Sequence, residues 1–153
     1  MAKQTPLLRT ALRRDSHLQK HVKKGTSAFD RRDLALVAES ERSRIGDSLD
    51  LDAATQPELP NENRWDYVLS LPDLSEIVGI EPHAAKDSEI GVVIAKKKNA
   101  VQYLQGHFCS GHRVKRWFWV SHGRVGFSRM DRARRRLDQN GILFVSRILR
   151  TFR

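Results

Sequence analysis

Two acidic residues and a histidine near the middle of the chain stand where a strand-like pattern would bring them together. Asp66 interrupts an alternating apolar run, and Glu81 and His83 lie two residues apart at the end of a second apolar run. That spacing places the Glu81 and His83 side chains on the same face of a strand. Fourteen residues separate Asp66 from Glu81, so a hairpin register can bring all three side chains to one end of a sheet.

Paired carboxylates in that position suit a hard metal ion. Mg²⁺ takes oxygen ligands and keeps several waters, so Asp66 and Glu81 are candidate metal ligands. An ion held there would activate water and neutralise charge on a phosphate. The simpler interpretation is that Asp66 bonds backbone amides at a strand edge, that Glu81 ends an exposed strand and that His83 belongs to a loop. Burying Glu81 unpaired would be costly, however, which favours a specific role for it.

Periodicity and turn signals predict alternating helices and strands around these residues. Helices are predicted over 6–22, 27–45, 87–105 and 128–140, and strands over 65–69, 77–81, 114–120, 125–127 and 142–149, with a shorter strand candidate at 49–52. The strand 114–120 carries large apolar residues on both faces, as expected for a central strand. The order predicts an α/β fold with a central mixed β-sheet flanked by helices. We expect a basic N-terminal helix or arm over 1–26 and a single α/β domain over 27–153.

The 153-residue chain has a net charge of +10, which is unevenly distributed. Residues 1–26 contain seven lysines and arginines against one aspartate, and residues 106–153 contain twelve against two acidic residues. The segment 27–62 is acidic, with four basic residues against nine acidic ones. Anionic partners are therefore expected, with nucleic acid first among them. Acidic groups that hold metal, flanked by basic groups that hold phosphates, suit a nuclease, and a plain binding protein fits the same pattern.

The basic residues that we expect to contact phosphates lie in three regions of the chain. The densest run belongs to the last predicted helix, where four arginines occupy five positions. The candidate nucleic-acid-binding residues are Arg13, Arg14, Arg113, Lys115, Arg116, Arg129, Arg132, Arg134, Arg135 and Arg136. Such a run is usually a solvated helix face, but this charge density exceeds what solubility requires.

In these features the chain resembles the PD-(D/E)XK nuclease superfamily, over roughly residues 28–120. The resemblance consists of a leading acidic helix, Asp66 in one strand, Glu81-Pro82-His83 in the next, and then a helix and a central strand. It implies a restriction-endonuclease-like core and hydrolysis of phosphodiester bonds with Mg²⁺ or Mn²⁺, DNA being favoured over RNA as the substrate. It also implies that Asp66 and Glu81 bind the metal, with the Pro82 carbonyl as a further candidate ligand.

One position departs from the family pattern. The family's lysine, two residues after the glutamate, is His83 in this chain. In some family members the cation comes from the following helix, where Lys97 lies within the apolar stripe and is the candidate; the alternative is that His83 itself carries protons or binds metal. The simpler explanation for Lys97 is a buried stem with its amine at the surface. The leading helix often adds a glutamate to the metal site, which here would be Glu39 or Glu41.

Two other functions fit the same sequence. A non-catalytic nucleic-acid-binding protein with a decayed nuclease site would explain the missing motif lysine. A protein-interaction subunit would use the basic faces to meet an acidic partner. A homodimer is compatible with the resemblance. The chain lacks an apolar run of about 20 residues and its single cysteine, Cys109, fits a reducing compartment, so we expect no membrane partner and a cytoplasmic location.

Overall fold

The computed structural model describes residues 7–153 and places a six-stranded mixed sheet at the centre of the protein. The strands are β1 (Lys23–Lys24), β2 (Asp47–Asp50), β3 (Tyr67–Leu71), β4 (Glu76–His83), β5 (Arg116–Ser121) and β6 (Ile142–Ser146), and they lie in the sheet in chain order. β1 to β4 pair antiparallel with their neighbours, whereas β4, β5 and β6 are parallel. We call the end of the sheet at which β4, β5 and β6 finish the carboxyl end, and the opposite end the amino end.

Helices connect the strands of the sheet. Within residues 7–153 the α-helices are α1 (Leu7–Ala11), α2 (Arg31–Leu34), α3 (Glu39–Arg42), α4 (Leu51–Thr55), α5 (Asp87–Gln105) and α6 (Met130–Gln139). α5 links β4 to β5, and α6 links β5 to β6. Both helices therefore begin near the carboxyl end of the sheet and run back toward the amino end, as crossover helices between parallel strands do.

Alternate residues of the strands face two separate apolar layers. On β5, Trp117 and Trp119 belong to the cluster that includes α5 and α6, whereas Phe118 and Val120 belong to the cluster on the other face. The C-terminal tail closes this second layer with the fully buried Phe152. The sequence prediction of a central strand buried on both faces is confirmed for β5.

The predicted α/β architecture, a mixed sheet flanked by helices, is also confirmed. The helix predicted over 87–105 has those bounds in α5, and Gly106 is its C-cap residue. Among residues 7–153, no helix is both long enough and apolar enough to cross a membrane.

The helix predicted over 6–22 is interrupted. Residue 6 lies outside the described residues, α1 ends at Ala11, and a 3₁₀ helix begins at His17. The Ser16 side chain accepts a hydrogen bond from the backbone N–H of Leu18, and such local bonds compete with a continuous α-helix. Leu8 and Leu18 are fully buried in the main core, so the described part of this basic segment packs into the domain.

The helix predicted over 27–45 is broken into α2 and α3. Between them Val37 forms an isolated bridge with Leu149 of the C-terminal tail, so extended pairing replaces helix where the tail crosses the sheet. The strand predicted over 125–127 is a loop, which a single bridge between Lys86 and Gly126 holds against the start of α5. In both places contacts distant in sequence override the local pattern.

Candidate active site

Asp66 and Glu81 meet at the carboxyl end of the sheet, on the face covered by α5. Tyr67 of β3 pairs with Ile80 of β4, so the next residue outward on each strand places Asp66 opposite Glu81. The Glu81 side chain is fully buried. The backbone N–H of Asp66 donates to Glu81 Oε1 at 2.9 Å. The structure thus contains the hairpin that can bring the two carboxylates together.

The ammonium group of Lys96 contacts both carboxylates. Its Nζ lies 2.5 Å from Glu81 Oε2 and 3.7 Å from Asp66 Oδ1. Helical side chains lean toward the N-terminus of their helix, and the N-terminus of α5 lies at the carboxyl end of the sheet. A lysine in the middle of α5 can therefore reach this end. With only 15% of its side chain exposed, Lys96 gives the site a largely buried cation.

The three charged groups change each other's protonation. Burial and the negative charge of Glu81 raise the pKa of Asp66 to about 8, against the opposing effect of Lys96. Burial alone would lower the pKa of Lys96, but the charges of Glu81 and Asp66 outweigh it, and the pKa is raised. At neutral pH Lys96 is therefore an ammonium ion and Asp66 retains its proton, unless another cation enters the site.

His83 also faces this site. Its Nδ1 lies 3.3 Å from Glu81 Oε2, and its Nε2 lies 3.3 Å from Glu89 Oε1. The geometry is not that of a hydrogen bond, and Nε2 is buried without a hydrogen-bond partner among the described residues. The His83 carbonyl accepts a hydrogen bond from Trp119 Nε1 at 3.1 Å, which fixes the end of β4. A histidine held between two carboxylates can carry a proton.

The lysine that reaches Glu81 is Lys96, and the prediction of Lys97 in this position is corrected. Lys97 donates to the backbone carbonyl of Asn140 at 2.5 Å, and its Nζ lies 5.9 Å from the centre of the Trp117 ring. One residue along an α-helix is a rotation of about 100°, which turns Lys97 toward the C-terminal end of α6. A cation is favourable at a helix C-terminus, and burial lowers the pKa of Lys97. Lys97 thus links α5 to α6.

The leading helix does not bring Glu39 or Glu41 to the site. Ala38, just before α3, donates to the Leu149 carbonyl at 2.9 Å, on the face of the sheet away from α5. Glu39 is exposed there. Glu41 forms an ion pair with Arg44 at 2.9 Å. The predictions of Glu39 and Glu41 as metal ligands are therefore corrected, because the break at residues 35–38 carries the chain across the face of the sheet opposite to α5.

Asp66 and Glu81 offer the oxygen ligands that Mg²⁺ prefers. Within residues 7–153, no group of three or more histidine, cysteine, aspartate or glutamate side chains is arranged to hold a metal ion. Mg²⁺ usually keeps several waters and is bound by only one or two protein carboxylates. Asp66 and Glu81 are the two carboxylates that such an ion would bind, and the Lys96 ammonium is the cation with which it would compete.

Negative charge extends from the site toward β2. The charges of Asp52 and Asp33 contribute to the raised pKa of Asp66. The pKa of Asp50 is raised as well, first by burial and then by the same two aspartates. Arg64 neutralises part of this group through its 2.7 Å contact with Asp52. The carboxylates on the β2 side therefore add negative charge near Asp66, and the exposed Lys23 and Lys24 of β1 pair on the far side of β2.

The predicted phosphate-binding residues fall on two separate surfaces, one of which lies at the amino end of the sheet. Its members are Arg13, Arg14, Arg113, Lys115 and Arg116. Glu76 pairs with Arg116 at 2.7 Å and with Lys115 at 3.6 Å. Arg116 is in register with Val78 and Trp119 with Glu81, so this surface lies about 10 Å from the carboxylates along the strands. The structure does not bring these residues to the site.

The second basic surface is formed by α6 and the residue before it. Its members are Arg129, Arg132, Arg134, Arg135 and Arg136, all of them exposed. α6 buries Ala133 and Leu137 against the sheet, which leaves the arginines on the outside, as an amphipathic helix requires. α6 packs on β6 and beside α5.

Sequence reasoning missed Lys96 and Glu89, and one signal could have found them. Glu89, Val93 and Lys96 follow the spacing of i, i+4 and i+7 that places residues on one side of a helix. Val93 is buried, so the two charged residues lie on the flank of the face that packs on the sheet. A charged pair on such a flank can reach groups at the end of a strand.

Comparison of the chain with models of protein families, with curated protein sequences and with solved structures finds no match.

Proposed function

We propose that the protein is a metal-dependent nuclease that hydrolyses phosphodiester bonds in nucleic acid, with DNA favoured over RNA. The observation that supports this most is the meeting of Asp66, Glu81 and Lys96 at one end of the sheet. Two carboxylates that can hold a metal ion and a cation that can stabilise charge on a phosphate are groups that a metal-dependent nuclease can use. A restriction-endonuclease-like core is part of the proposal, since β3, β4, α5 and β5 follow one another in the order that the family resemblance implies.

Each residue has a distinct part in the proposed reaction. Asp66 and Glu81 would hold Mg²⁺ or Mn²⁺, which when bound supplies a polarised water and neutralises charge on the scissile phosphate. Lys96 takes the place of the family's motif lysine and stabilises negative charge on the transferring phosphate. His83 lies between the buried Glu81 and the partly exposed Glu89, where it can pass a proton toward solvent.

The decisive experiment is incubation of the purified protein with plasmid DNA, linear DNA, single strands and RNA, with Mg²⁺, Mn²⁺ or a chelator. We expect cutting only with the metal, and at least a hundredfold less of it in Glu81→Gln, because this variant loses a ligand charge while keeping the side-chain volume. Glu39→Gln is the matched control, since this exposed glutamate lies on the other face of the sheet. Equal cutting by Glu81→Gln and the unsubstituted protein would contradict the proposal.

A second candidate function is non-catalytic nucleic-acid binding. It is favoured by the Lys96 ammonium, which already neutralises the carboxylates, and by the histidine at the position of the family's lysine. On this alternative neither the unsubstituted protein nor Glu81→Gln cuts any substrate with any metal. Both would bind nucleic acid with equal affinity, which the same samples can show.

A further inference from the structure

We infer that nucleic acid approaches the carboxylate site from the α6 side, with its phosphate backbone along a row of exposed basic residues. This surface, called here the arginine ridge, consists of Lys86, Arg124, Arg129, Arg132 and Arg136. The inference rests on the proposed function, because it takes nucleic acid as the partner. It goes further in assigning the substrate to one of the two basic surfaces and in excluding the surface at the amino end of the sheet.

The arginine ridge carries free positive charge. Residues 122–136 contain six arginines and a single acidic residue, Asp131. None of these arginines forms an ion pair with any of residues 7–153. At the amino end, by contrast, three of the five basic residues are paired, since Glu76 holds Lys115 and Arg116 and Asp15 holds Arg13. Unpaired guanidinium groups remain available for phosphates, whose contacts they make in fork geometry.

The arginines form a row because of their helical spacing. Arg132 and Arg136 stand at i and i+4, which places them along one side of α6, and Arg129 is the extended residue immediately before the helix. Arg136 shows which side this is. A side-chain carbon added at Gly91 of α5 would lie 3.7 Å from its guanidinium group. The row therefore runs along the flank of α6 that faces α5.

The ridge also adjoins the carboxylate site, through the loop that precedes α6. The backbone N–H of Gly126 donates to the Ala85 carbonyl at 2.7 Å, two residues after His83. The rings of Phe127 and Trp119 lie 5.4 Å apart, and Trp119 in turn lies 6.1 Å from the ring of His83. Arg124 and Arg129 thus extend from a loop fastened beside the end of β4.

The loop has a second attachment at the start of α5. The backbone N–H of Ser128 lies 3.2 Å from each carboxylate oxygen of Asp87. Lys86, which precedes Asp87, is exposed and pairs with Gly126 of the loop. Lys86 therefore continues the ridge toward the carboxylates.

The negative charge on the β2 side of the site favours the same direction of approach for nucleic acid, from the α6 side. The charges of Asp52 and Asp33 act on Asp66 and would repel phosphates that approach from the β2 side. A polyanion is steered toward the basic side of such a boundary. The ridge reaches the carboxylate site through Lys86 and the loop before α6, which adjoin the end of β4, so one substrate can contact both.

The test compares two triple variants that remove the same number of charges. The ridge variant is Arg129→Gln/Arg132→Gln/Arg136→Gln, and the control variant is Arg14→Gln/Arg113→Gln/Lys115→Gln at the amino end. Binding of fluorescent DNA duplex, single strand and RNA duplex is measured without divalent metal at several salt concentrations. We expect the ridge variant to lose at least about tenfold in affinity and its salt slope to fall by about 3, since each phosphate contact contributes about 0.9. The control variant should change by less than about twofold.

The outcomes separate this inference from the proposed function. Unchanged binding by the ridge variant, or an equal or larger loss in the control, overturns the inference even if the protein cuts DNA. Ridge-dependent binding without metal-dependent cutting supports the inference and contradicts the nuclease. If the unsubstituted protein binds none of the three nucleic acids, both are overturned and an acidic protein becomes the expected partner. Thermal unfolding of both variants shows that the comparison is between folded proteins.

Discussion

At the scale of single residues, the Glu81 carboxylate is contacted from three directions. It accepts a hydrogen bond from the Asp66 backbone, forms an ion pair with Lys96 and lies beside the His83 ring. A fully buried carboxylate needs such partners, because an unpaired buried charge costs several kcal/mol. The same contacts that make Glu81 tolerable in the fold also place a cation and a histidine where a phosphate would arrive.

Lys96 should therefore matter to both stability and activity. We expect Lys96→Met to lower the free energy of unfolding by about 3 kcal/mol, because it leaves the buried Glu81 charge without its partner, and to reduce cutting at least tenfold. Lys97→Met removes one hydrogen bond to a carbonyl and should cost about 1 kcal/mol, with cutting retained. Urea unfolding and the plasmid assay measure both effects. A larger loss of activity in Lys97→Met than in Lys96→Met would contradict this assignment and give the role to Lys97.

The raised pKa of Asp66 predicts a pH-dependent stability. Since the pKa is 3.8 for an ordinary aspartate and about 8 in the fold, the native state binds the extra proton between these values. Its contribution to stability is complete below about pH 4 and falls as the pH rises to about 8. We expect the unsubstituted protein to lose stability relative to Asp66→Asn over this range in chelator. Urea unfolding at several pH values checks this, and a constant difference between the two proteins would contradict it.

The sequence predicts the pair Asp66 and Glu81 but does not predict which lysine completes it. The carboxylates follow from strand spacing and hairpin length, which are local properties. Lys96 and Lys97 are neighbours of the same type, and only the phase of α5 against β4 distinguishes them. Glu39 fails for a different reason, since the break before α3 depends on the C-terminal tail, more than 100 residues away.

At the scale of elements, Gly79 allows β4 to pack beneath the site. A side-chain carbon there would lie 2.8 Å from both the Trp117 ring and the Trp65 ring nitrogen. These two indoles, 4.9 Å apart and nearly perpendicular, form the layer beneath β4 two residues before Glu81. β4 therefore carries a small residue and a catalytic candidate on the same face.

Two glycine substitutions test this packing with opposite expected signs. Gly79→Ala should destabilise the protein by about 1–3 kcal/mol, because the added methyl group overpacks the indoles. Gly91→Ala, in the interior of α5, meets only the Arg136 guanidinium at 3.7 Å and should stabilise by about 0.5–1 kcal/mol through helix propensity. Thermal or urea unfolding measures both. A stabilising Gly79→Ala would show that the indoles have room to move.

Elements with a strong local pattern are predictable, and elements shaped by distant contacts are not. α5 and β5 have long apolar patterns and clear end signals; α5 has its predicted bounds, and β5 begins two residues later and ends one residue later than predicted. The helices expected over 6–22 and 27–45 also have apolar periodicity, yet a serine hydrogen bond interrupts the first and pairing with Leu149 interrupts the second. These competing interactions are invisible in the local sequence.

At the scale of the whole molecule, the net charge of +10 is the sum of an acidic region and a basic region on different sides of the carboxylate site. Asp33, Asp50 and Asp52 lie on the β2 side of the carboxylate site, and the arginine ridge lies on the α6 side. The acidic residues of β2 and α4 and the basic residues of α6 lie toward opposite edges of the sheet, whereas Lys23 and Lys24 of the basic N-terminal segment pair beside β2. Under the proposed function, this charge distribution would orient a polyanion.

The described part of the N-terminal segment contributes buried side chains to the core, which an external arm would not do. Leu8, Leu12, Leu18 and Val22 are all at most 5% exposed and belong to the main core. Burying four such side chains is worth about 6–12 kcal/mol, which is comparable with the entire stability of a typical domain, about 5–15 kcal/mol. Deletion of residues 1–26 should therefore abolish cooperative unfolding, measured by circular dichroism on heating.

A surface substitution separates the loss of the buried apolar side chains from the loss of positive charge. Arg13→Gln/Arg14→Gln leaves the buried leucines in place, and the single ion pair it removes, with Asp15, is exposed and worth less than about 1 kcal/mol. Its melting temperature should therefore match that of the unsubstituted protein. A deleted protein that still melts cooperatively at the original temperature would mean that the leucines contribute little, and the segment would then act as an arm. If the deleted protein fails to fold and the double substitution does not, the segment belongs to the core. That core supports β2 and β3, and also the carboxylates that lie between these strands and α5.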